Sequence, residues 1–131
     1  MGVSVYHRDN PGLLVPLISS DARLIIWLGT GARTANMNYV VMQPGESNVP
    51  HVHESSEDTI FILEGHGSIR DYTAGTRLEF GPGDVVHLDA GIRQAVFADM
   101  AEVVVSVGGP CPADVGMLRL LGIDVDAMLS A

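Results

Sequence analysis

The stretch GESNVPHVHESSEDTIFILEG, residues 45–65, carries the pattern that decides the fold. His51 and His53 are separated by one valine, and alternate side chains of a β-strand point to the same face. The two imidazoles are therefore expected to converge, and neutral imidazole is a common ligand of transition metals. Acidic residues follow at Glu57 and Asp58, so a carboxylate from the next strand would complete a metal-binding set of two histidines and one carboxylate.

The segments around this stretch are short, rich in Val, Ile, Leu and Tyr, and interrupted by Gly, Pro, Asp and Asn. This pattern is typical of an all-β sandwich or barrel. It predicts strands near Val3–His7, Leu13–Ile18, Arg23–Trp27, Met37–Gln43, Thr59–Leu63, Gly67–Asp71, Thr76–Glu79, Asp84–Leu88, Gln94–Ala98 and Ala101–Gly108. The following run, residues 108–112, has the sequence GGPCP, which should not lie in a helix or a central strand. Cys111, the only cysteine, is interpreted as a loop residue.

The C-terminal segment, residues 113–131, has a different periodicity. Val115, Leu118, Leu121 and Val125 recur every three or four residues, which predicts one or two short helices. The chain contains no internal repeat, low-complexity tract or linker. The sequence therefore predicts one domain over residues 1–131.

Composition excludes several classes of function. The net charge is -9, which argues against nucleic acid and anionic membranes as partners. All seven basic residues are arginine, so Schiff-base chemistry on a lysine is excluded. There is no apolar run of the roughly 20 residues that cross a bilayer, and residues 1–8 lack the layout of a secretory signal. We therefore expect a cytoplasmic protein.

Residues 45–65 resemble the first motif of the cupin superfamily, and residues 83–94, GDVVHLDAGIRQ, resemble the second. The resemblance implies a small single-domain cupin: an all-β barrel, also described as a double-stranded β-helix or jelly roll, with a short helical C-terminal tail. It further implies a metal-dependent protein that acts on a small organic metabolite and pairs into homodimers. The motifs are specific for the fold and poor at naming a reaction, because this fold hosts many.

The resemblance leaves the identity of two metal ligands open. Counting back from Gly65 favours Asp58 as the carboxylate, whereas counting on from His53 favours Glu57, which would require a bulge at the start of the strand. The family's last histidine is replaced by Gln94, which either ligates the metal or forms hydrogen bonds inside the pocket. An amide oxygen is a harder ligand than imidazole, which favours Fe or Mn, with Zn, Ni and Cu as alternatives.

Four further residues are candidates for the reaction or for substrate contact. His87 lies on the strand of the second motif; if it faces inward it is a ligand or a catalytic general base, and if outward an ordinary surface histidine. Tyr39 and Met42 lie on a barrel strand and are candidate substrate contacts. Arg93, next to Gln94, is a third, because guanidinium pairs well with carboxylate.

We expect an oxygen-dependent oxidation of the dioxygenase type at an Fe or Mn centre. A non-redox isomerase, cyclase or decarboxylase that uses the metal as a Lewis acid is the first alternative. The second is a cupin that binds a small molecule without turning it over, which the replacement of the last histidine supports.

Overall fold

The computed structural model describes Gly2–Ser130; Met1 and Ala131, the two ends of the predicted domain, lie outside the described residues. Within this range the strands are β1 Leu13–Leu14, β2 Asp21–Ile26, β3 Met37–Met42, β4 His51–Val52, β5 Glu57–Glu64, β6 Gly67–Asp71, β7 Thr76–Phe80, β8 Val85–Leu88, β9 Arg93–Ala98 and β10 Val104–Cys111. A 3₁₀ helix spans Leu28–Thr30, and two α-helices follow the strands, α1 at Val115–Leu120 and α2 at Val125–Ser130. The predicted all-β fold with a short helical tail is confirmed.

The strands form two antiparallel sheets that face each other. The order is β1-β2-β3-β10-β5-β8 in the six-stranded sheet and β4-β9-β6-β7 in the four-stranded sheet. Met42, Ile62 and Val104 from the first sheet pack with Phe80 and Ala98 from the second in one buried core. Because strands distant in sequence are neighbours in both sheets, residues from β3, β4, β5 and β9 can all reach the space between them.

The helical tail closes one end of this barrel. Leu118 of α1 and Val125 of α2 are buried in a second apolar core together with Val15 and Trp27. Asp114 caps α1, since its side-chain oxygen accepts a hydrogen bond from the backbone N–H of Met117. Among the described residues, no helix combines the length and the apolar character that crossing a membrane requires.

Two strands predicted near the N-terminus differ from the structure. No strand forms at Val3–His7, and the side chains of Val3 and Val5 are almost fully exposed. Alternation predicts an extended segment, but it cannot supply the neighbouring strand that must accept its hydrogen bonds. The strand predicted at Leu13–Ile18 shortens to β1, because the chain turns at Pro16, which has no backbone N–H to donate.

The expectation that the GGPCP run lies outside a central strand is wrong. β10 is central, between β3 and β5, and it extends to Cys111. The pairing with β3 ends at Gly108, so Pro110 lies where β10 has a neighbour on one side only. At Gly108 the strands approach closely: a Cβ atom there would lie 2.0 Å from the carbonyl oxygen of Thr59, which only glycine avoids.

Candidate metal centre

The two histidines of the H-x-H pair lie together at the edge of the inner cavity. β4 pairs with β9 so that His51 lies opposite Gln94, and the ring centroids of His51 and His53 are 4.9 Å apart, nearly perpendicular. His53 follows the end of β4, and its carbonyl oxygen accepts a hydrogen bond from the backbone N–H of Gly91. Both imidazoles line the space between the two sheets.

Asp58 and Glu57, the two candidate carboxylates, lie on opposite faces of β5. Asp58 is 5% exposed, and its Oδ2 atom is 3.3 Å from Nε2 of His53. Glu57 is exposed on the outer surface. The β5–β10 register is regular at both residues, so the bulge that Glu57 would need is not formed. The structure therefore places Asp58, and not Glu57, beside the two histidines.

Gln94 is 2% exposed and hydrogen-bonds to His51. The Nδ1 atom of His51 lies 2.8 Å from the carbonyl oxygen of Val49, so Nδ1 carries the proton and Nε2 is the acceptor. The amide N–H of Gln94 donates to this Nε2 atom over 2.8 Å. The Oε1 atom of Gln94 is buried with no hydrogen-bond partner, and so is Oδ1 of Asp58.

Asp114 belongs to the site, and the sequence analysis missed it. Its Oδ2 atom is 2.7 Å from Nδ1 of His53, while Oδ1 accepts from the N–H of Met117 at the start of α1. An aspartate before an apolar periodic segment predicts a helix cap. Its contact with a histidine 61 residues earlier in the chain has no such local signal.

The surrounding charges set the protonation states of the two imidazoles. Burial lowers the pKa of His53, but hydrogen bonds to Asp114 and Asp58 outweigh burial and raise this pKa to about 9. Burial lowers the pKa of His51 and outweighs the opposing effect of its hydrogen bond to Val49. Burial opposes ionisation of Asp114, yet the hydrogen bond from His53 keeps the pKa of Asp114 below its usual value. Without a metal, the raised pKa favours the protonated form of His53, which lies between Asp58 and Asp114, and the lowered pKa favours the neutral form of His51.

His87 lies on the outer surface, so the interpretation of this residue as an inward general base is corrected. Strict alternation along β8 turns Val86 into the cavity and His87 outward. His87 is within 3.2 Å of Glu57 and 3.5 Å of Asp89, and these three exposed residues place ligand atoms within 4.8 Å of one another. They form a separate cluster with metal-ligand chemistry, and all three of its side chains are exposed to solvent.

The candidate substrate contacts also divide between the two faces. Met42 lines the cavity, as do other apolar side chains from both sheets. Tyr39 points outward, with the guanidinium groups of Arg8 and Arg23 over its ring at 5.7 and 5.1 Å. Arg93 is exposed beside the inward Gln94. Tyr39 and Arg93 are therefore corrected to surface positions, because each alternates with a residue that faces the cavity.

The residues that face the cavity fit a divalent transition metal. They offer the two unpartnered oxygens of Asp58 and Gln94, together with the Nε2 atoms of His51 and His53 once the Gln94 N–H and the Asp58 oxygen that contact these nitrogens are displaced. Buried polar atoms without a partner are rare, and a bound ion is one way to satisfy the two at this site; Nε1 of Trp27 and Oδ1 of Asn36 are unpartnered elsewhere. Asp114 supplies the carboxylate partner that a metal-binding histidine usually has on its other nitrogen.

The charge state of His53 predicts how metal affinity depends on pH. A metal can use Nε2 of His53 only after displacing a proton held with a pKa of about 9. Apparent affinity for Zn²⁺ or Co²⁺ is therefore expected to rise about tenfold per unit between about pH 7 and about pH 8.5. Competition titrations with a chromophoric chelator measure this slope, and an affinity that is constant above about pH 7 would contradict the assignment.

Comparison with known proteins agrees with this architecture. A family model described as the cupin domain matches residues 38–107, more than half of the chain. The polyketide cyclase RemF from Streptomyces resistomycificus aligns with a TM-score of 0.71 and 21% identity, covering 86% of this chain and 81% of that chain. A Cupin 2 conserved barrel domain protein from Salinispora arenicola CNS-205 aligns with a TM-score of 0.62 and 24% identity, covering 93% and 96%.

KdgF from Halomonas sp. aligns with a TM-score of 0.62 and 16% identity, covering 75% of this chain and 83% of that chain. At such identities the likeness to solved structures shows the fold alone. No curated protein sequence matches the chain. The family match, together with the double-stranded β-helix that residues 38–107 form, shows that the chain belongs to the cupin domain family.

Proposed function

We propose that this protein binds a divalent transition metal through His51, His53, Asp58 and Gln94 and converts an organic molecule whose reacting group enters the cavity between its sheets. One observation carries the proposal: two oxygen atoms, Oδ1 of Asp58 and Oε1 of Gln94, are buried without a partner beside two imidazoles. Leaving both oxygens unsatisfied costs about 1–3 kcal/mol each, and more for a charged group, which a bound cation would recover.

The donor set favours Fe or Mn. A site with two nitrogen and two oxygen donors suits these metals better than a site made of imidazoles alone. Zn, Ni and Cu are also compatible with it. Such an ion, when bound, supplies open positions for O₂ or substrate and acts as a Lewis acid.

The side chains around the donors have roles of their own. Asp114 fixes the ring orientation of His53, because it accepts the Nδ1–H at 2.7 Å. Apolar walls that include Met42, Ile62 and Val96 exclude water from the space next to the donors. The amide of Gln94 offers both a donor and an acceptor, so it can bind a metal or a substrate oxygen.

Oxygen-dependent oxidation is the first candidate reaction, because a site with two histidines, one carboxylate and an amide leaves positions open. The second is non-redox isomerisation or cyclisation. It is favoured by the apolar cavity beside the donors, in which a bound ion would act as a Lewis acid on a substrate oxygen. The polyketide cyclase RemF, which shares the fold, acts in a reaction of this second kind by its name.

Elemental analysis of untagged protein purified without chelators tests the proposal. Near-stoichiometric Fe or Mn, followed by O₂ consumption with pools of small metabolites, would support the oxidation. Stoichiometric Zn or Ni without O₂ consumption would favour the Lewis-acid reaction. Protein that takes up no metal even after reloading would overturn the proposal and favour a cupin that binds a small molecule without turnover.

Substitution of the two adjacent carboxylates separates the ligand from its neighbour. Asp58→Ala is expected to lower metal affinity at least tenfold, because it removes both the oxygen without a partner and the acceptor that contacts His53. Glu57→Ala, the matched control, should change affinity less than about twofold, since its side chain faces solvent. Calorimetric titration with Mn²⁺ or Co²⁺ measures both, and equal losses would show that the assignment of Asp58 is wrong.

Homodimer formation, a small-molecule partner and a cytoplasmic location stay predictions. The acidic net charge still argues against nucleic acid and anionic membranes.

A further inference from the structure

The cavity between the sheets is small for an organic substrate. Its volume is about 70 Å³. An engineered protein cavity that accommodates benzene has a volume of about 150 Å³. The space beside His51, His53 and Gln94 therefore admits the reacting end of a molecule, a few atoms in size, and not the whole of it.

A larger groove of about 900 Å³ lies outside this cavity, between the segments that flank β4 and the helical tail. Its apolar side chains are unusually exposed: Leu120 is 82% exposed and Val49 66%. A cluster of large exposed apolar residues marks a binding surface more often than chance would. The large exposed apolar side chains of the groove are Leu17, Val49, Leu120 and Leu129, whereas Leu28 in its wall is buried.

The groove and the cavity share part of their walls. Ile18, His51 and Met117 line both. Asp114, which hydrogen-bonds to His53, also lines the groove. The groove therefore adjoins the candidate metal centre on the side of His51, with the side chain of Met117 at the boundary.

We propose that the groove and the cavity form one substrate site with two parts. The groove binds the apolar body of a substrate too large for the cavity, and the polar reacting end passes Ile18 and Met117 to reach His51. This inference rests on the proposed function and names the substrate class: an elongated, uncharged apolar molecule, such as a long alkyl chain or a fused ring system, with a polar group at one end.

The charges around the groove support an uncharged body. Arg33 and Arg119 lie along it, and so do Glu54 and Asp114, giving two groups of each sign. Arg119 is also 3.1 Å from Asp126. The groove therefore carries no excess of charge that would attract a strongly charged substrate body. A small molecule is the occupant that the shared wall favours, because a single such molecule can lie in the groove and extend its end into a space of about 70 Å³.

A homologous series of n-alkanols, from butanol to decanol, tests the proposal by calorimetric titration of the metal-free and the Co²⁺-loaded protein. Affinity is expected to rise about threefold to fourfold per added methylene, because each added group is buried in the groove. Decanol is also expected to change the visible spectrum of bound Co²⁺, since its hydroxyl end reaches the metal donors. An affinity independent of chain length, or an unchanged spectrum with decanol bound, would overturn the two-part site.

Two leucine variants locate the binding surface. Leu120→Gln should weaken decanol binding about tenfold and butanol binding less than about twofold, with Co²⁺ affinity unchanged. Leu78→Gln is the matched control, because Leu78 is also highly exposed, at 68%, but lies on β7 away from the groove. Equal losses in both variants, or a dimer that Leu120→Gln dissociates in sedimentation, would overturn the proposal. Failure to bind Co²⁺ would contradict the proposed function but not the role of the groove. The dependence of alkanol affinity on chain length in the metal-free protein tests that role independently.

Discussion

Replacing His51 with alanine is expected to lower metal affinity at least about 100-fold while unfolding stays cooperative. The change removes the imidazole whose Nε2 atom, which here accepts the amide N–H of Gln94, is one of the proposed direct ligands. Loss of partners that only orient a ligand already costs about 10- to 100-fold. The fold should tolerate the change, because His51 is neutral and its loss leaves no buried charge unpaired.

His87→Ala is the matched control for His51→Ala. His87 is a histidine of the second motif that lies on the outer surface, so its loss should change metal affinity less than about twofold. Titration with Co²⁺ monitored by visible absorption, combined with thermal unfolding of each variant, separates a ligand from a structural residue. Retained stoichiometric metal in His51→Ala would contradict the proposed site, and an equal loss in His87→Ala would move the metal to the outer cluster with Glu57 and Asp89.

Gly65→Ala is expected to destabilise the protein by several kcal/mol, at least about 4, which is exceptional for one methyl group. Gly65 directly follows β5 and has a φ of +82°, and a Cβ atom there would lie 2.0 Å from the carbonyl oxygen of Val103. This oxygen belongs to the backbone next to β10, so it cannot move aside without disturbing the central strand. The close approach therefore requires glycine.

Gly75→Ala provides the comparison. Gly75 also has a positive φ, +73°, but no atom lies within 4 Å of the position a Cβ would take. Its replacement should cost only the backbone strain, about 1 kcal/mol. Chemical denaturation of both variants measures the difference; a Gly65→Ala protein that is insoluble while Gly75→Ala folds would agree with the prediction. Similar stabilities for the two variants would show that the contact with Val103 does not constrain β5.

The position of Asp58 shows how far local sequence reasoning reaches. Counting on from His53 favours Glu57 as the carboxylate, whereas counting back from Gly65 favours Asp58. The structure has β5 in this register without a bulge at its start. The proximity of His51 and His53 is also a local prediction, because two side chains separated by one residue lie on the same face of a strand wherever that strand lies in the fold.

The orientation of a residue was less predictable where it depended on which face of its strand points into the cavity. Alternation states that Val86 and His87 face opposite sides, but not which side is the cavity; only the pairing of β8 with β5 decides it. Tyr39 and Arg93 were misplaced for the same reason, one position away from inward residues. The strand at Val3–His7 failed differently, because a pattern that favours extension does not provide a partner strand.

The sequence by itself predicted the family, the all-β barrel and the helical tail, and it offered His51 and His53 with either Asp58 or Glu57 as candidate metal donors. These follow from short-range rules: strand alternation, turns at glycine and proline, and a motif whose members lie within about 20 residues. The tertiary structure alone decided that Gln94 lies opposite His51, that Asp114 holds His53 from a helix 61 residues away, and that an apolar groove adjoins the cavity. Each of these depends on strand pairing and helix docking between distant segments, and a linear pattern holds no information on the distances between them.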